Sequence, residues 1–395
     1  MKMKYNFDEM VDRNHTGNMK LFITPESLQE KDITSFAAAE MDFPTAPSII
    51  DSVVRMAKGG VYGFTIPTAE YYDAVRWWLR EVRNWDVPKE WIMPVLGTIY
   101  SVASAIRMTC IDDGPGRLIV QSPVYYRYEQ AATRMGVETV HNDLKIVDGR
   151  YEMDFEDLEA KMADPANKLL VICNAHNPIA RVWNEEELRR VAELSAKYRT
   201  LVLSDEIFGE MTFDGHRVIP YASIAEGQDY AMTVVSLGKA FNFTGVNHAN
   251  IIIPNEALRE RYDHVRFETH YGSMGPFEYA SVLGAYTEEG LAWFREAQAY
   301  IEANAHYVQD FMKEYLPQVH VFPVEGTSVC WMDWSYLGLS GTELTDYLVQ
   351  EALFDAESGA DYSEDCGQFV RMNLSSTRAQ VESAMERLKK AFSTK

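Results

Sequence analysis

The chain has 395 residues, enough for two or three domain-sized units and a large hydrophobic core. Hydrophobic residues make up 47% of it, an ordinary share for a globular protein. The formal net charge of -22 disfavours nucleic acid and anionic membrane surfaces as partners, because both would repel an acidic protein.

Targeting signals and metal-binding patterns are absent from the sequence. The N-terminal stretch MKMKYNFDEMVD lacks the apolar segment of a signal peptide, and no apolar run reaches the ~18 residues of a membrane helix. The four cysteines are far apart and show no zinc-ligand spacing; they are Cys110, Cys173, Cys330 and Cys366. We therefore expect a cytoplasmic protein with reduced thiols, no membrane segment and no metal site.

In chain order, an irregular N-terminal segment precedes a region in which short apolar runs alternate with amphipathic helical patterns. One such helix is predicted after Asn184, which can cap it, with Glu187 completing a capping box. Strands are predicted at 117–122, 168–174, 200–206, 232–237 and 249–254. Continuous apolar strands separated by helices predict an α/β fold, with a mostly parallel sheet and helices on both faces.

The last third of the chain has a different pattern. A long helix is predicted over 291–315, followed by the strand-like stretch HVFPVEGTSVCWMDW. A final helix is predicted after Thr377, with Gln380 in the capping-box position. We expect a large domain over 46–288, with 1–45 and 289–395 forming a smaller α+β domain.

Polar residues stand where several of the predicted strands end. In open α/β sheets, ligands bind at the carboxyl ends of the strands. Taken singly, such residues are more often structural, as turn or helix-capping residues. The residues at these ends are Gly97 and Thr98 at a helix start, then Tyr125, Asn177, Asp205 and Lys239.

Together, these residue types meet the needs of one cofactor, pyridoxal 5′-phosphate. Its aldehyde needs a lysine amine in the neutral form, which desolvation favours. Its pyridine nitrogen needs a carboxylate, its ring oxygen an amide donor and its ring face an aromatic side chain. Its phosphate needs N–H groups at a helix N-terminus together with hydroxyls.

The order and spacing of Asn177, Asp205 and Lys239 resemble the N-P…D…K series of class I/II aminotransferases of PLP fold type I. The similarity extends over nearly the whole chain. The stretches CNAHNPIARVWNEEEL, LSDEIFGEM, KAFNFTG and FVRMNLS are similar to the MalY/PatB-type C–S lyase (cystathionine β-lyase) branch of that superfamily. The resemblance implies the PLP-dependent transferase fold of type I and a homodimer with active sites at the interface.

The resemblance also implies roles for the residues around the cofactor ring. Lys239 would bind the aldehyde covalently and then move the Cα proton of the substrate. Asp205 would pair with the pyridinium nitrogen, Asn177 would bond the ring oxygen O3′, and Tyr125 would stack on the ring.

Two further groups of residues acquire roles in the same way. Gly97, Thr98 and Ser236 would hold the phosphate. Arg371, in FVRMN, would clamp the α-carboxylate of an amino-acid substrate, because its planar fork suits bidentate binding.

Some positions depart from the family pattern and remove possible cofactor contacts. Phe208 stands where a side chain able to donate to O3′ is common, and Phe64 where a tyrosine would reach the phosphate of the partner subunit. Gly238 replaces a serine beside the lysine, and Asn247 stands where many members have a phosphate-binding arginine. Each such bond to a charged group contributes about 1.5–3 kcal/mol, so these losses bear on how tightly the cofactor binds.

Three functions remain open from the sequence. The leading one is a C–S β-lyase that cleaves cystathionine or S-substituted cysteines to thiol, pyruvate and ammonia. An aminotransferase would use the same residues. A regulatory or binding protein on this scaffold, with relaxed catalysis, is the third, because fold does not guarantee function.

Overall fold

The computed structural model describes residues 3–13, 15–31, 33, 35–269 and 274–392. The strands are β1 Ile92–Val95, β2 Arg117–Val120, β3 Thr139–His141, β4 Lys145–Val147, β5 Arg150–Glu152, β6 Asn167–Cys173, β7 Leu201–Asp205, β8 Ala231–Val235, β9 Ala249–Ile252, β10 His320–Val321, β11 Val329–Asp333, β12 Glu357–Ser358 and β13 Phe369–Asn373.

The helices, in chain order, are α1 Met19–Ile23, α2 Glu26–Gln29, α3 Pro47–Gly59, α4 Ala69–Arg83, α5 Thr98–Ile106, α6 Arg127–Arg134, α7 Phe155–Ala163, α8 Glu185–Tyr198, α9 Leu237–Ala240, α10 Glu256–Glu268, α11 Pro276–Ala285, α12 Glu288–Tyr315, α13 Thr342–Ala352 and α14 Arg378–Phe392. Helix α5 continues into a π-helical segment, Arg107–Asp112. Short 3-10 turns occupy Lys89–Trp91, Tyr221–Ser223, Ala225–Tyr230, Ser335–Leu337, Gly359–Asp361 and Glu364–Cys366.

The main sheet of the described chain has seven strands in the order β1-β9-β8-β7-β6-β2-β3. All neighbours run parallel except β9, which is antiparallel to both β1 and β8. The prediction of a mostly parallel sheet is therefore confirmed, and the run predicted at 249–254 forms its one reversed strand. Because β9 is reversed, its first residues lie at the edge where the parallel strands end.

The two faces of this sheet explain the continuous apolar runs. Along β6, Leu170 and Ile172 point to one face, where Leu188 of α8 packs. Leu169 and Val171 point to the other, where Val102 of α5 packs. A strand buried on both faces has no polar side to alternate with, so helices cover both faces as predicted.

A second, antiparallel sheet of order β10-β11-β13-β12 forms later in the chain. The preceding helix α12 starts at Glu288, three residues before the predicted start at 291, because Thr287 caps it by accepting from the Gly290 N–H. The predicted capping box at Asn184 is present, and the Thr377 N–H donates to the Gln380 side chain in the same manner.

The N-terminal segment is less irregular than the sequence predicted, since it contains α1 and α2. Asn18 caps α1, and the buried Lys20 ammonium lies 2.9 Å from an oxygen of Asp42. This ion pair joins residues far apart in the chain, so the local sequence could not reveal it.

All four cysteines are buried and free of disulfides, and Cys110 and Cys173 lie in the hydrophobic core. None of the helices in the described ranges is both long enough and apolar enough to cross a membrane.

A buried ion cluster ties α4 to the strand end that carries Asp205. The Arg83 guanidinium contacts Glu206 at 2.6 Å and Glu210 at 2.9 Å, and all three side chains are almost wholly buried. Burial raises the pKa of Glu206 to about 7, and the Arg83 charge opposes this rise. Arg83 therefore holds in place the residue that directly follows Asp205.

We expect Arg83→Met to lower the free energy of unfolding by about 3–5 kcal/mol, because it leaves two carboxylates buried without their cation. Urea unfolding measures the change. Arg107→Met is the matched control: its pairs with Asp112 and Glu268 are exposed, so it should cost less than about 1 kcal/mol. Equal losses in the two variants would contradict a structural role for the buried cluster.

Candidate active site

A cavity of about 600 Å³ opens at the carboxyl ends of the parallel strands. Its lining includes all eight residues predicted as site residues. They are Gly97, Thr98, Tyr125, Asn177, Asp205, Ser236, Lys239 and Arg371. The structure thus brings together residues that span 275 positions of sequence, from 97 to 371 inclusive.

Lys239 enters the cavity from α9, directly after β8. Its Nζ donates to the carbonyl of Ala39 at 3.0 Å and lies 5.4 Å from the centre of the Phe208 ring. Burial, reinforced by the charge of Arg371, lowers the pKa of Lys239 to about 8, while nearby carboxylates such as Glu357 oppose the shift. Near pH 8, half of these amines are neutral and able to act as nucleophile or base.

Asp205 forms the floor of the cavity at the end of β7 and is 2% exposed. Its carboxylate accepts hydrogen bonds from the Tyr128 hydroxyl and from the Ile207 N–H, at 3.2 Å for the latter. It makes no ion pair with any residue of the described chain. Burial raises the pKa of Asp205 to about 6, and the hydrogen bond from Tyr128 opposes this rise. A buried carboxylate of this kind is suited to a cationic ring nitrogen.

Tyr128 is a site residue that the sequence analysis missed. It lies in the first turn of α6, is fully buried, and packs edge-on against Tyr125. Its hydroxyl also touches Cys173, whose thiol pKa burial raises. The only sequence signal was its spacing of three residues from Tyr125, which itself precedes α6.

Arg371 lies on β13, opposite Glu357 of β12 in the register of the second sheet. Its guanidinium donates to Asn177 Oδ1 at 2.9 Å and pairs with Glu357 at 2.6 Å, and its Nε has no hydrogen-bond partner among the described residues. Glu357, also missed from the sequence, accepts from the Tyr362 hydroxyl and from the Ala38 N–H. Because Asn177 uses its oxygen on Arg371, its amide N–H₂ remains the group able to donate to a ring oxygen.

Gly97, Thr98 and Ser236 form the other end of the cavity. Gly97 has φ +118°, a region that residues with side chains rarely adopt, and leads into α5. The Thr98 side chain lowers the pKa of Asp205, against the larger effect of burial. The Ser236 hydroxyl donates to the His248 carbonyl at 2.8 Å and accepts from the Gly238 N–H. The Ser236 hydroxyl is therefore engaged by the protein, which the sequence did not indicate.

The positions that depart from the family pattern have visible consequences here. Phe208 is buried beside Lys239 and offers no donor. Phe64 is fully exposed. The nearby tyrosine, Tyr62, donates its hydroxyl to the Ala57 carbonyl. At Gly238, a Cβ atom would lie 3.2 Å from Ser236 Oγ, so a serine there would crowd the hydroxyl that caps α9.

The donor set fits pyridoxal 5′-phosphate at its ring and aldehyde. A buried carboxylate without a cation, a lysine with a lowered pKa and an available amide N–H₂ line one cavity. Gly97, Thr98 and Ser236 are uncharged, so the N-terminus of α5 and these polar groups would hold the phosphate.

Comparison with known proteins agrees with this geometry. The model of the family "Aminotransferase class I and II" matches residues 31–388. Cystathionine beta-lyase PatB of Bacillus subtilis (strain 168) is 30% identical over 389 residues, covering 98% of this chain and all of that protein. The structure of cystalysin from Treponema denticola, which contains pyridoxal 5′-phosphate, has a TM-score of 0.91 and 29% identity, covering 98% and 99% of the two chains. A PLP-bound putative aminotransferase from Clostridium difficile 630 has a TM-score of 0.90 and 29% identity, with the same coverage.

The lowered pKa of Lys239 can be tested without cofactor. In protein freed of cofactor, we expect the rate of dinitrophenylation of Lys239 by 1-fluoro-2,4-dinitrobenzene to increase with pH, with a midpoint near pH 8 and a plateau above about pH 9, because only the neutral amine reacts. Peptide mass spectrometry measures the modified fraction, with the exposed Lys58 as an internal control. Glu357→Gln should move the midpoint to lower pH, since the Glu357 charge raises the pKa of Lys239. A Lys239 profile that still rises past pH 9 would contradict the assignment.

Proposed function

The chain belongs to the aminotransferase class I and II family, and from that premise we propose that it is a PLP-dependent C–S β-lyase. It would cleave cystathionine or an S-substituted cysteine to a thiol, pyruvate and ammonia. The observation that carries the proposal is the convergence of Lys239, Asp205 and Arg371 on one cavity. PatB, named a cystathionine beta-lyase, and cystalysin support the choice of reaction.

When bound, the cofactor supplies an aldehyde that reacts with amines and a protonated ring that accepts an electron pair from the substrate Cα. Arg371 would bind the α-carboxylate of the substrate, since its guanidinium reaches into the cavity and its Nε is unpartnered. Asn177, fixed by its bond to Arg371, would orient the ring, and Asp205 would keep the ring nitrogen protonated.

Lys239 would act as the base that takes the proton from the substrate Cα, since its neutral amine is available near pH 8. The Cβ–S bond then breaks, and the sulfur leaves as a thiol after gaining a proton. Water completes the reaction, so that cystathionine and water give homocysteine, pyruvate and ammonia.

The remaining features of the protein belong to the same proposal. We divide the chain into a large domain over 46–288 and a small domain over 1–45 and 289–395, and the seven-stranded sheet in the first and the four-stranded sheet in the second support this division. A cytoplasmic location is supported by four buried cysteines without disulfides.

We also propose a homodimer. The segment 61–66 exposes an apolar surface to solvent, with Val61 82%, Phe64 101% and Ile66 65% exposed. Exposed apolar residues clustered in this way mark an interaction surface. A second copy of the chain is the partner that the family resemblance implies, and it would enclose Phe64.

The reaction type is tested with L-cystathionine and no keto acid. We expect pyruvate and homocysteine to form in equal amounts, because the lyase reaction needs no amino acceptor. Lys239→Ala should abolish both products and the visible absorbance of bound cofactor, whereas Lys58→Ala, an exposed lysine, should keep both. Strict dependence on an added keto acid would identify an aminotransferase instead. A colourless protein that stays colourless with added cofactor would support the regulatory alternative.

The dimer is tested by light scattering after size exclusion. We expect a mass of twice the 45.1 kDa chain. Phe64→Asp should give monomers, because the charge would have to be buried at the interface. Ile146→Asp, at an exposed apolar residue outside the segment, should stay dimeric. A wild-type monomer would contradict the proposal.

A further inference from the structure

His248 lies at the end of the cavity that holds Gly97 and Ser236. It immediately precedes the reversed strand β9, whose neighbours are β1 and β8. In the register, Ala249 is opposite Val95 and Asn250 is opposite Val235. His248 is therefore placed between the strand ends that lead into Gly97 and into Ser236, and it lines the cavity with them.

One side of the His248 ring is fixed by the core. Its Nε2 lies 2.9 Å from the Tyr71 hydroxyl, and that hydroxyl donates to Asn250 Oδ1 at 2.7 Å. A hydroxyl has one proton to give, so Tyr71 must accept from His248. The Nε2 therefore carries the proton of the neutral ring, and Nδ1 has only a lone pair.

That Nδ1 atom is unusual because it is buried and makes no hydrogen bond within the described chain. His248 is 4% exposed. A buried polar atom without a partner is costly, and such atoms often await a ligand or water. Here the adjoining cavity is the one in which a phosphate would sit at the start of α5.

A phosphate dianion offers only hydrogen-bond acceptors, so it cannot bond to an Nδ1 that has only a lone pair. One proton between them turns this repulsion into a charge-assisted hydrogen bond. The His248 ring contacts Tyr71 of α4, which bonds Asn250 of β9, and the His248 carbonyl accepts from Ser236 after β8; these three partners are neutral. Burial alone lowers the pKa of His248 to about 4, so the ring is neutral before a phosphate arrives.

We propose that His248 binds the 5′-phosphate of the cofactor, and that its Nδ1 shares with the phosphate one proton taken up from solvent on binding. This inference rests on the proposed cofactor site. Asn247, the neighbouring residue, is uncharged and cannot form an ion pair with the phosphate. The inference assigns a phosphate contact to His248 instead. Phosphorylated pyridine aldehydes are then bound more tightly than their unphosphorylated forms, and this preference weakens as pH rises.

The test compares pyridoxal 5′-phosphate with pyridoxal, which lacks the phosphate. Dissociation constants are measured on the full-length protein, freed of cofactor and reloaded. His248→Gln keeps an amide able to donate to Tyr71 but has no basic Nδ1. We expect it to weaken binding of the phosphate ester by about 10- to 100-fold and of pyridoxal by less than about threefold. The exposed His264→Gln is the control and should change neither constant.

Proton uptake gives a second readout. Calorimetry in buffers of different ionisation enthalpy should show about one more proton taken up with the phosphate ester than with pyridoxal at pH 8, where free phosphate is a dianion. Tyr71→Phe should reduce this difference toward zero, because it frees the neutral ring to carry its proton on Nδ1. A role of His248 in folding alone would not produce this change.

The outcomes separate the two proposals. Equal loss of both ligands in His248→Gln, or equal proton uptake with both in the wild type, would overturn the inference while leaving the cofactor in place. Failure of the wild-type protein to bind either ligand would overturn the proposed function together with the inference.

Discussion

A carboxylate without a cation, buried at the end of a central strand, is the constraint around which the site is arranged. Burying a charge in protein costs several kcal/mol unless a partner offsets it. Hydrogen bonds from Tyr128 and from the Ile207 backbone offset part of this desolvation penalty for Asp205. Its pKa of about 6 reflects the part of the penalty that they do not offset. The strand end is held from behind by the ion cluster of Arg83 with Glu206 and Glu210. The cavity is thus prepared for a positive group before any ligand enters, which is how preorganised electrostatic sites work.

The same principle shapes the opposite wall of the cavity. Arg371 reaches the site from the second sheet and is buried, so its charge also needs a partner. Glu357 supplies it, and Asn177 links the guanidinium to the wall formed by the main sheet. One consequence is that a substrate carboxylate must share Arg371 with Glu357 or displace it. A second is that Lys239 lies in the field of both groups, which shift its pKa in opposite directions.

The end of the cavity near Gly97 differs from the two walls described above, because Gly97, Thr98 and Ser236 are uncharged. The hydroxyl of Ser236 is already bonded to protein groups. The groups left to bind an anion are the N–H groups at the start of α5 and the Nδ1 of His248, which has no partner among the described residues. The hydrogen bonds from Asn250 through Tyr71 to His248 fix the orientation of that ring. An anion held by neutral donors and a shared proton is bound in a pH-dependent way, unlike one held by arginine, which stays protonated in proteins.

Local patterns in the sequence were sufficient for the sheet, its covering helices and the caps at Asn184 and Thr377. Strand-end position suggested six site residues and the family resemblance added Ser236 and Arg371; all eight lie in the lining of the cavity. Apolar periodicity, capping chemistry and the spacing of Asn177, Asp205 and Lys239 are properties of the chain itself, so they can be read without coordinates. Whether a strand is buried, where a helix is capped and which residue follows a strand all depend on residues close together in the sequence. These predictions therefore agree with the structure.

The tertiary structure alone decided which polar groups meet. Glu357 gave no local signal, and Tyr128 gave only its spacing from Tyr125. Their importance comes from contacts with Arg371, 14 positions from Glu357, and with Asp205, 77 positions from Tyr128. The helices α1 and α2, the pairing of Lys20 with Asp42, and the proton position on His248 likewise depend on residues brought together by folding. Sequence determines which chemistry the chain carries, whereas burial and partners in space determine the charge state in which each group can act.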